Sequence, residues 1–317
     1  MTSRPSPLRI GTRGSDLALW QARHVAGALR GLPGAPDPEL VIIKTEGDRT
    51  QDVPLSQVQG KAFFTKEIEE ALLGEQVDIA VHSLKDLETV MPPGLTLGAV
   101  LERADPRDAL LTREPMAAED LPRGARVGTS SLRRRALLAR WRPDLDLADL
   151  RGNVPTRIRK LDEGAYDAIV LAAAGVKRLG LGDRISAYLS FHPFLPAVSQ
   201  GAMGVQIRED DPEVARWVRA LDHEPTRRTT AAERAFLRRV EGGCQVPVGA
   251  LGELREGGDV LELRGIICSL DGEKGVEGRR SGPPAEAEAL GRALAGELLE
   301  AGGEAILRGI RRRGERA

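Results

Sequence analysis

The chain has 317 residues, with 46 Lys or Arg against 47 Asp or Glu and a formal charge of -1. That length is too great for one hydrophobic core and implies two or three domains. The charge balance excludes a general nucleic-acid or membrane-surface binder, which carries a basic excess.

In chain order, Leu8-Arg9-Ile10 reads as a strand running into Gly11-Thr12-Arg13-Gly14-Ser15, and residues 17–29 follow as a helix. Residues 40–43 and 77–81 read as two more strands, the latter ending at His82-Ser83-Leu84-Lys85-Asp86. The polar, glycine-bearing stretch 44–60 between them is long for a connection and reads as a lid or binding loop. A second series then echoes the first. Arg9-Ile10-Gly11-Thr12 recurs as Arg126-Val127-Gly128-Thr129, and Asp78-Ile79-Ala80-Val81 as Asp167-Ala168-Ile169-Val170. Two similar α/β domains facing each other across a cleft would explain the echo; so would chance similarity between strand–helix units.

From about Glu224 the pattern changes. Thr230-Ala231-Ala232-Glu233 has capping-box spacing and precedes the apolar Phe236-Leu237 and Val240, and paired glycines then stop the helix. Cys244 follows in Glu241-Gly242-Gly243-Cys244-Gln245-Val246-Pro247, a tight loop between glycines and a proline. A buried structural thiol has no need of such an approach path, although most free cysteines are small core residues. Residues 260–270 and 275–280 read as paired strands turning at Asp271-Gly272, a long helix starts near Pro284, and the arginine-rich end reads as a frayed tail. The expected domains are 1–101 with 200–219, then 106–196, then 223–317 carrying Cys244.

Charge gathers at the carboxyl ends of the strands, where open α/β sheets bind ligands. Gly128-Thr129-Ser130-Ser131-Leu132-Arg133-Arg134-Arg135 opens a helix, whose N-terminus attracts anions; three arginines there are unfavourable for the helix unless an anion offsets them. Arg151-Gly152-Asn153-Val154-Pro155-Thr156-Arg157 repeats the arrangement, Arg13 with Ser15 holds the matching place in the first series, and Lys177-Arg178 follows a strand. Together they imply a cleft for a polyanion. Asp86 is the lone carboxylate among these cations, with Gly175 in the comparable place of the second series. A carboxylate ringed by guanidinium groups stays ionised, which suits stabilisation of a developing cation, on the order of a thousandfold in rate. The other reading of Asp86 is an ordinary surface pair with Lys85. His82 has no partner at ligand spacing, so no metal site is expected, and no phosphate-loop or dinucleotide fingerprint is present.

These segments resemble the porphobilinogen deaminase family over essentially the whole chain. The likeness rests on Thr12-Arg13-Gly14-Ser15-Asp16-Leu17-Ala18-Leu19-Trp20-Gln21, Val81-His82-Ser83-Leu84-Lys85-Asp86, Gly128-Thr129-Ser130-Ser131-Leu132-Arg133-Arg134, Leu150-Arg151-Gly152-Asn153, Ala197-Val198-Ser199-Gln200-Gly201-Ala202 and the cysteine loop. The resemblance implies two periplasmic-binding-protein-like α/β domains around a cleft plus a smaller α+β C-terminal domain. It implies that Cys244 carries a covalent dipyrromethane cofactor through a thioether. Four porphobilinogen molecules then condense head to tail on that primer with loss of ammonia, each through an electrophilic azafulvene, and hydrolysis releases hydroxymethylbilane.

Asp86 would sit against the pyrrole nitrogens. Lys85, Ser131, Arg133, Arg134 and Arg157 would hold cofactor carboxylates, Arg13, Ser15, Arg151 and Arg178 the incoming ring's acetate and propionate. Gln21 and Gln200 would line the cleft, with Phe63 and Phe64 over the site and Lys61 acting alone. The sequence departs from the family pattern at Glu88, where proline is usual, and at Ser199, where glycine is common. Two competing classes are weaker. A non-enzymatic anion-binding module gives no role to Cys244 or Asp86 and ordinarily has an export signal. A nucleic-acid binder is opposed by the net charge and by 3% aromatic residues.

No run nears the ~20 apolar residues of a membrane span, the first residues lack a signal-peptide apolar segment, and two cysteines make no disulfide framework. The sequence therefore reads as a soluble cytoplasmic monomer that takes a small-molecule substrate, with no nucleic-acid or membrane partner.

Overall fold

The computed structural model describes residues 7–45, 65–240 and 246–314. They divide into two compact units: residues 7–45, 65–104 and 202–227 in one, and 105–201, 228–240 and 246–314 in the other. Cys244, Lys61, Phe63, Phe64 and most of the expected lid fall outside the described residues.

The first unit begins β1 (Leu8–Thr12), α1 (Asp16–Arg30), β2 (Pro38–Ile42), α2 (Lys66–Leu73), β3 (Ile79–Ser83) and β4 (Leu95–Val100). α1 forms where the sequence directs it: Ser15 caps it by accepting from the Ala18 amide, Asp16 opens it and Arg30 closes it. Its buried stripe, Gln21, Ala22, Val25, Ala26 and Leu29, has helical spacing and covers the sheet.

The second unit begins β5 (Asp108–Thr112), β6 (Arg126–Gly128), α3 (Leu132–Trp141), β7 (Asp146–Ala148), α4 (Val154–Asp162), β8 (Ala168–Ala172), α5 (Ala173–Arg178) and β9 (Ala187–Tyr188). The chain then returns to the first unit with β10 (Met203–Arg208) and α6 (Pro212–Arg219).

The two sheets have one topology. The first has the order β2-β1-β3-β10-β4 and the second β7-β6-β8-β5-β9. In each, three parallel strands are followed by an antiparallel strand: β10, which returns from after the second sheet, in the first, and β5, which precedes the parallel strands, in the second. The echo extends to atoms. The Arg9 amide donates to Asp78 Oδ2 at 2.8 Å, and the Arg126 amide donates to Asp167 Oδ2 at 2.8 Å. In both places the aspartate's own amide returns a bond to the arginine carbonyl. The repeated sequence pairs therefore mark a repeated latch, which chance similarity does not require.

The chain ends in α7 (Glu224–Val240), an antiparallel sheet of β11 (Val248–Arg255), β12 (Val260–Cys268) and β13 (Gly275–Gly282), then α8 (Ala287–Leu298) and α9 (Glu304–Gly314). This smaller α+β part packs on the second five-stranded sheet: Leu251, Ile266 and Cys268 share a buried cluster with Leu110, Val127 and Leu138. The turn at Gly272 (φ 75) lies against α3 so closely that a Cβ there would stand 2.5 Å from the Ala136 carbonyl oxygen. The fold class expected from the sequence, two α/β sheet–helix domains with a smaller α+β part, is what the structure shows.

Three local expectations are corrected. α7 starts at Glu224, not at the Thr230 capping box: His223 Nδ1 accepts from the Thr226 amide at the first turn. Thr230 is buried mid-helix, and Glu233 turns inward to accept from the amides of Ser199 and Gly252. The long terminal helix is two helices, broken by a π turn over Leu299–Gly303 at Gly302 (φ 118). Its arginine-rich end is not frayed, since α9 runs to Gly314 and Ile310 packs against the core.

Candidate active site

In the first unit β3 delivers Lys85 and Asp86. The strand is pinned at three successive residues: His82 Nε2 to Gln206 Oε1 at 3.2 Å, Ser83 Oγ accepting from Gln21 Nε2 at 2.8 Å, and the Leu84 amide donating to the Ala202 carbonyl at 3.0 Å. The chain then leaves the sheet in a single 3-10 turn, Leu84–Asp86, that buries Leu84 and exposes Lys85 and Asp86. The Asp86 carboxylate makes no hydrogen bond or ion pair with any described residue.

Behind this turn is a buried polar chain. Gln206 Nε2 donates to Glu69 Oε1 at 3.0 Å, so Gln206 Oε1 faces His82, and His82 donates through Nε2. Burial lowers the His82 pKa to about 4; the Gln206 bond opposes the shift and nearby Arg13 adds to it. His82 is therefore a neutral donor. Burial raises the Glu69 carboxyl, with Gln206 opposing and Glu88 adding to the rise. Glu88 thus does bring negative potential behind the turn. Arg13 is half-buried at the end of β1, and Ser15 is committed to the α1 cap.

In the second unit the loops after β6 and β7 are tied together. Ser130 Oγ accepts from the Leu150 amide at 3.0 Å and donates to the Leu150 carbonyl at 2.9 Å. Ser131 caps α3 through the Arg134 amide. Arg151, next to Leu150, makes no side-chain hydrogen bond or ion pair with the described residues. Arg157 Nε donates to the Gly152 carbonyl at 2.7 Å, which folds its side chain back over the α4 N-terminus.

Arg133 and Arg134 do not project into solvent; both are buried and converge on Asp108, which is wholly buried. Asp108 Oδ2 accepts from Arg133 at 2.8 Å, and Oδ1 accepts from Arg134 at 2.8 Å and from Gln200 Nε2 at 2.9 Å. Burial alone would raise the Asp108 pKa, but the two guanidinium groups outweigh it and hold the carboxylate ionised. Gln200 is fully buried; besides Asp108 it donates to the Pro106 carbonyl and accepts from Arg134. Arg178 donates to the Gly201 carbonyl at 2.7 Å, and burial lowers its pKa to about 10. Lys177, its neighbour, is taken up by Asp105 at 3.2 Å.

Sequence reasoning missed Asp108 and Gln206. The one local signal for Asp108 is a carboxylate opening an otherwise apolar strand, Asp108-Ala109-Leu110-Leu111-Thr112. Ser199 takes φ 62, the left-handed region, and its Oγ is buried without a partner. That explains why glycine suits this position, and this chain carries both the strain and the orphaned hydroxyl.

The first unit thus presents an exposed carboxylate on a pinned turn, and the second, taken by itself, a buried cation pair and an Arg151 side chain without a partner among the described residues, both suited to acidic groups. Residues 8–216 match the family model described as porphobilinogen deaminase, dipyromethane cofactor binding domain, and residues 228–300 match the C-terminal domain of the same enzyme. The chain belongs to the porphobilinogen deaminase family. The porphobilinogen deaminase of Syntrophomonas wolfei is 53% identical over 300 residues, covering 95% of this chain and 97% of that one. That of Pelobacter propionicus is 52% identical over 309 residues, 98% and 99% of the two chains. Among solved structures, the methionine-binding protein MetQ aligns over 68% of this chain and 89% of its own at 14% identity, with a TM-score of 0.44.

The chain is thus a transferase of tetrapyrrole and haem biosynthesis that condenses porphobilinogen to hydroxymethylbilane, and its cofactor is dipyrromethane. The residues present fit that acidic group. Arg133, Arg134 and Asp108 sum to +2 - 1 = +1, an excess buried charge. Arg133 Nε is buried with no partner. Among the described residues no cluster of His, Cys, Asp and Glu could hold a metal ion, and no helix is long and apolar enough to cross a membrane.

Proposed function

We propose that Asp86 is the catalytic carboxylate of this condensation and that Cys244 is the attachment point of the dipyrromethane. When bound, that group supplies a nucleophilic free α-carbon from which the chain of rings grows. The observation that carries the reading is Asp86 itself: an exposed carboxylate, unpaired among the described residues, on a turn fixed by Gln206, Gln21 and Ala202. A pyrrole N–H that gains positive character as ammonia leaves is stabilised by such a group at little reorganisation cost, because the platform is already rigid.

Lys85, Arg133, Arg134 and Arg157, with the Ser131 hydroxyl, hold the cofactor's carboxylates in this reading. Arg13, Ser15, Arg151 and Arg178 take the carboxylates of the incoming ring, and Phe64 covers it. Each pyrrole brings two carboxylates, and the guanidinium fork matches them two bonds at a time. Arg151 is supported best, since its guanidinium carries no intramolecular partner among the described residues. Gln21 and Gln200 enter as residues that brace the site rather than line it, because both are buried and their amides are engaged inside the protein. We further propose three domains, 1–101 with 200–219, 106–196 and 223–317, in a cytoplasmic monomer; light scattering at more than one chain's mass would overturn the last point.

Intact-protein mass spectrometry tests the attachment. The wild type should carry the mass of two linked pyrroles and Cys244→Ser should not. An active enzyme without that mass would sink the reading.

A further inference from the structure

The shared topology allows the two sheets to be compared position by position. Asp108 opens the antiparallel strand of the second sheet, opposite Ala172 at the end of the central parallel strand. In the first sheet the same place, opposite Ser83, is held by Met203, which is buried. The helix that follows differs in step. Counted from the capping serines, Arg133 and Arg134 of α3 correspond to Leu17 and Ala18 of α1. These positions therefore hold the buried Met203 with the half-buried Leu17 and Ala18 in one copy, and a buried carboxylate with two buried guanidinium groups in the other. Replacing buried ion clusters by apolar side chains of similar volume is often neutral or stabilising, so packing alone does not call for the charged version.

We infer that Asp108 is a positioning residue: it draws Arg133 and Arg134 into one fixed pair at the start of α3 and leaves their excess positive charge for the carboxylates of the acidic chain. Its two oxygens accept five hydrogen bonds, from Arg133 Nη1 and Nη2, Arg134 Nε and Nη2, and Gln200 Nε2. Without it, two adjacent guanidinium groups at the positive end of a helix repel each other and the helix dipole. They would then turn outward to solvent as independent, rotamer-rich side chains. With it, and with the Leu195 and Val170 carbonyls that accept from Arg133 Nη1 and Arg134 Nη1, the two guanidinium groups are fixed before the ligand arrives. Arg133 Nε is left without a partner, and the entropy of ordering the pair is already spent. Gln200 completes the arrangement by donating to the crowded Asp108 Oδ1 and accepting from Arg134 Nη2 at 3.4 Å. The inference rests on the reading that Arg133 and Arg134 hold cofactor carboxylates.

The test measures cofactor loading. Apoprotein is incubated with porphobilinogen, the source of both pyrrole units, and the fraction gaining the dipyrromethane mass is read by intact mass spectrometry; folding is followed by circular dichroism and thermal unfolding. Two proteins accompany the wild type: Asp108→Asn, which keeps the shape and removes the charge, and the triple variant Asp108→Met, Arg133→Leu, Arg134→Ala, which copies the first sheet. Folded Asp108→Asn should load at least about tenfold less than wild type, the order expected for losing charge-assisted bonds. The triple variant should fold and load none. Wild-type loading of Asp108→Asn beside an unloaded triple variant overturns this inference alone. A loaded triple variant overturns the assignment of the arginines on which it rests. A triple variant that does not fold makes the cluster structural and overturns the inference as well. An Asp108→Asn protein that does not fold beside a triple variant that does makes Asp108 a structural counter-ion and overturns the inference.

Discussion

The two five-stranded sheets share strand order, a pair of aspartate latches and a serine cap on the helix after the first strand. They diverge in which buried position each makes polar. In the first sheet His82 and Gln206 form a neutral hydrogen-bonded pair where register puts Leu171 and Leu111 in the second. In the second sheet Asp108 replaces Met203 and is joined by two buried arginines. The divergence follows the jobs proposed for each sheet. The first presents an exposed carboxylate and backs its turn with the neutral His82–Gln206 pair. The second presents cations and spends a carboxylate to organise them. The repeated scaffold thus differs between its two copies at a few buried positions as well as in the length of chain between the edge strand and the next described helix, Ile42 to Lys66 in the first and Ala148 to Val154 in the second.

The sharpest way to break this contrast is at Asp86, the exposed product of the first sheet. Asp86→Asn keeps the shape of the turn and removes the charge, so turnover should fall on the order of a thousandfold while substrate adducts still form. Near-normal turnover, measured alongside adduct mass, would remove Asp86 from its role.

A second test uses the neutral His82. In the unfolded chain a histidine takes up a proton near its ordinary value of about 6.5, whereas in the fold His82 does so only at about 4. The fold therefore keeps the full benefit above pH ~6.5 and loses it as pH falls towards about 4, by about 3 kcal/mol in total. Urea unfolding of wild type and His82→Gln at several pH values should show that the variant lacks this acid limb. Parallel curves would mean that His82 is not the group responsible.

The smallest effect compares the latches. Asp78 is 14% exposed on its side chain and also engages Arg9 and Arg208, whereas Asp167 is 51% exposed. Asp78→Ala should cost about 2 kcal/mol and Asp167→Ala less than about 1 kcal/mol in urea melts. Equal costs would show that the repeat's symmetry extends to its energetics.

Much of this was legible in the sequence where the signal is local. Alternating strands and helices located β1, β3, β6 and β8, and the recurrence of Arg9 with Asp78 as Arg126 with Asp167 marked a genuine structural repeat. What escaped was carried by partners distant in sequence. Nothing near Asp108 announces Arg133 or Gln200, which lie 25 and 92 residues away. The capping-box spacing at Thr230 was overridden because an earlier cap at His223 extended the helix and tertiary bonds claimed Glu233. The C-terminal helix looked continuous because its composition is uniformly helix-forming, and only Gly302-Gly303 betrays the break. The resemblance sets Gln21 and Gln200 along a cleft, whereas both are buried and hydrogen-bonded inside the protein; glutamine exposure has no sequence signature.

Val240 and Val246, the described residues on either side of the cysteine loop, belong to one hydrophobic cluster with Phe236, Leu263 and Leu294. Phe236 locks this base in place, for a Cβ at Gly265 would stand 2.7 Å from its ring. On the proposal that Cys244 holds the primer, the two described ends of the loop that carries it are cemented into the same masonry. A base loosened by Phe236→Ala would, on that proposal, be felt at the far tip of the growing product.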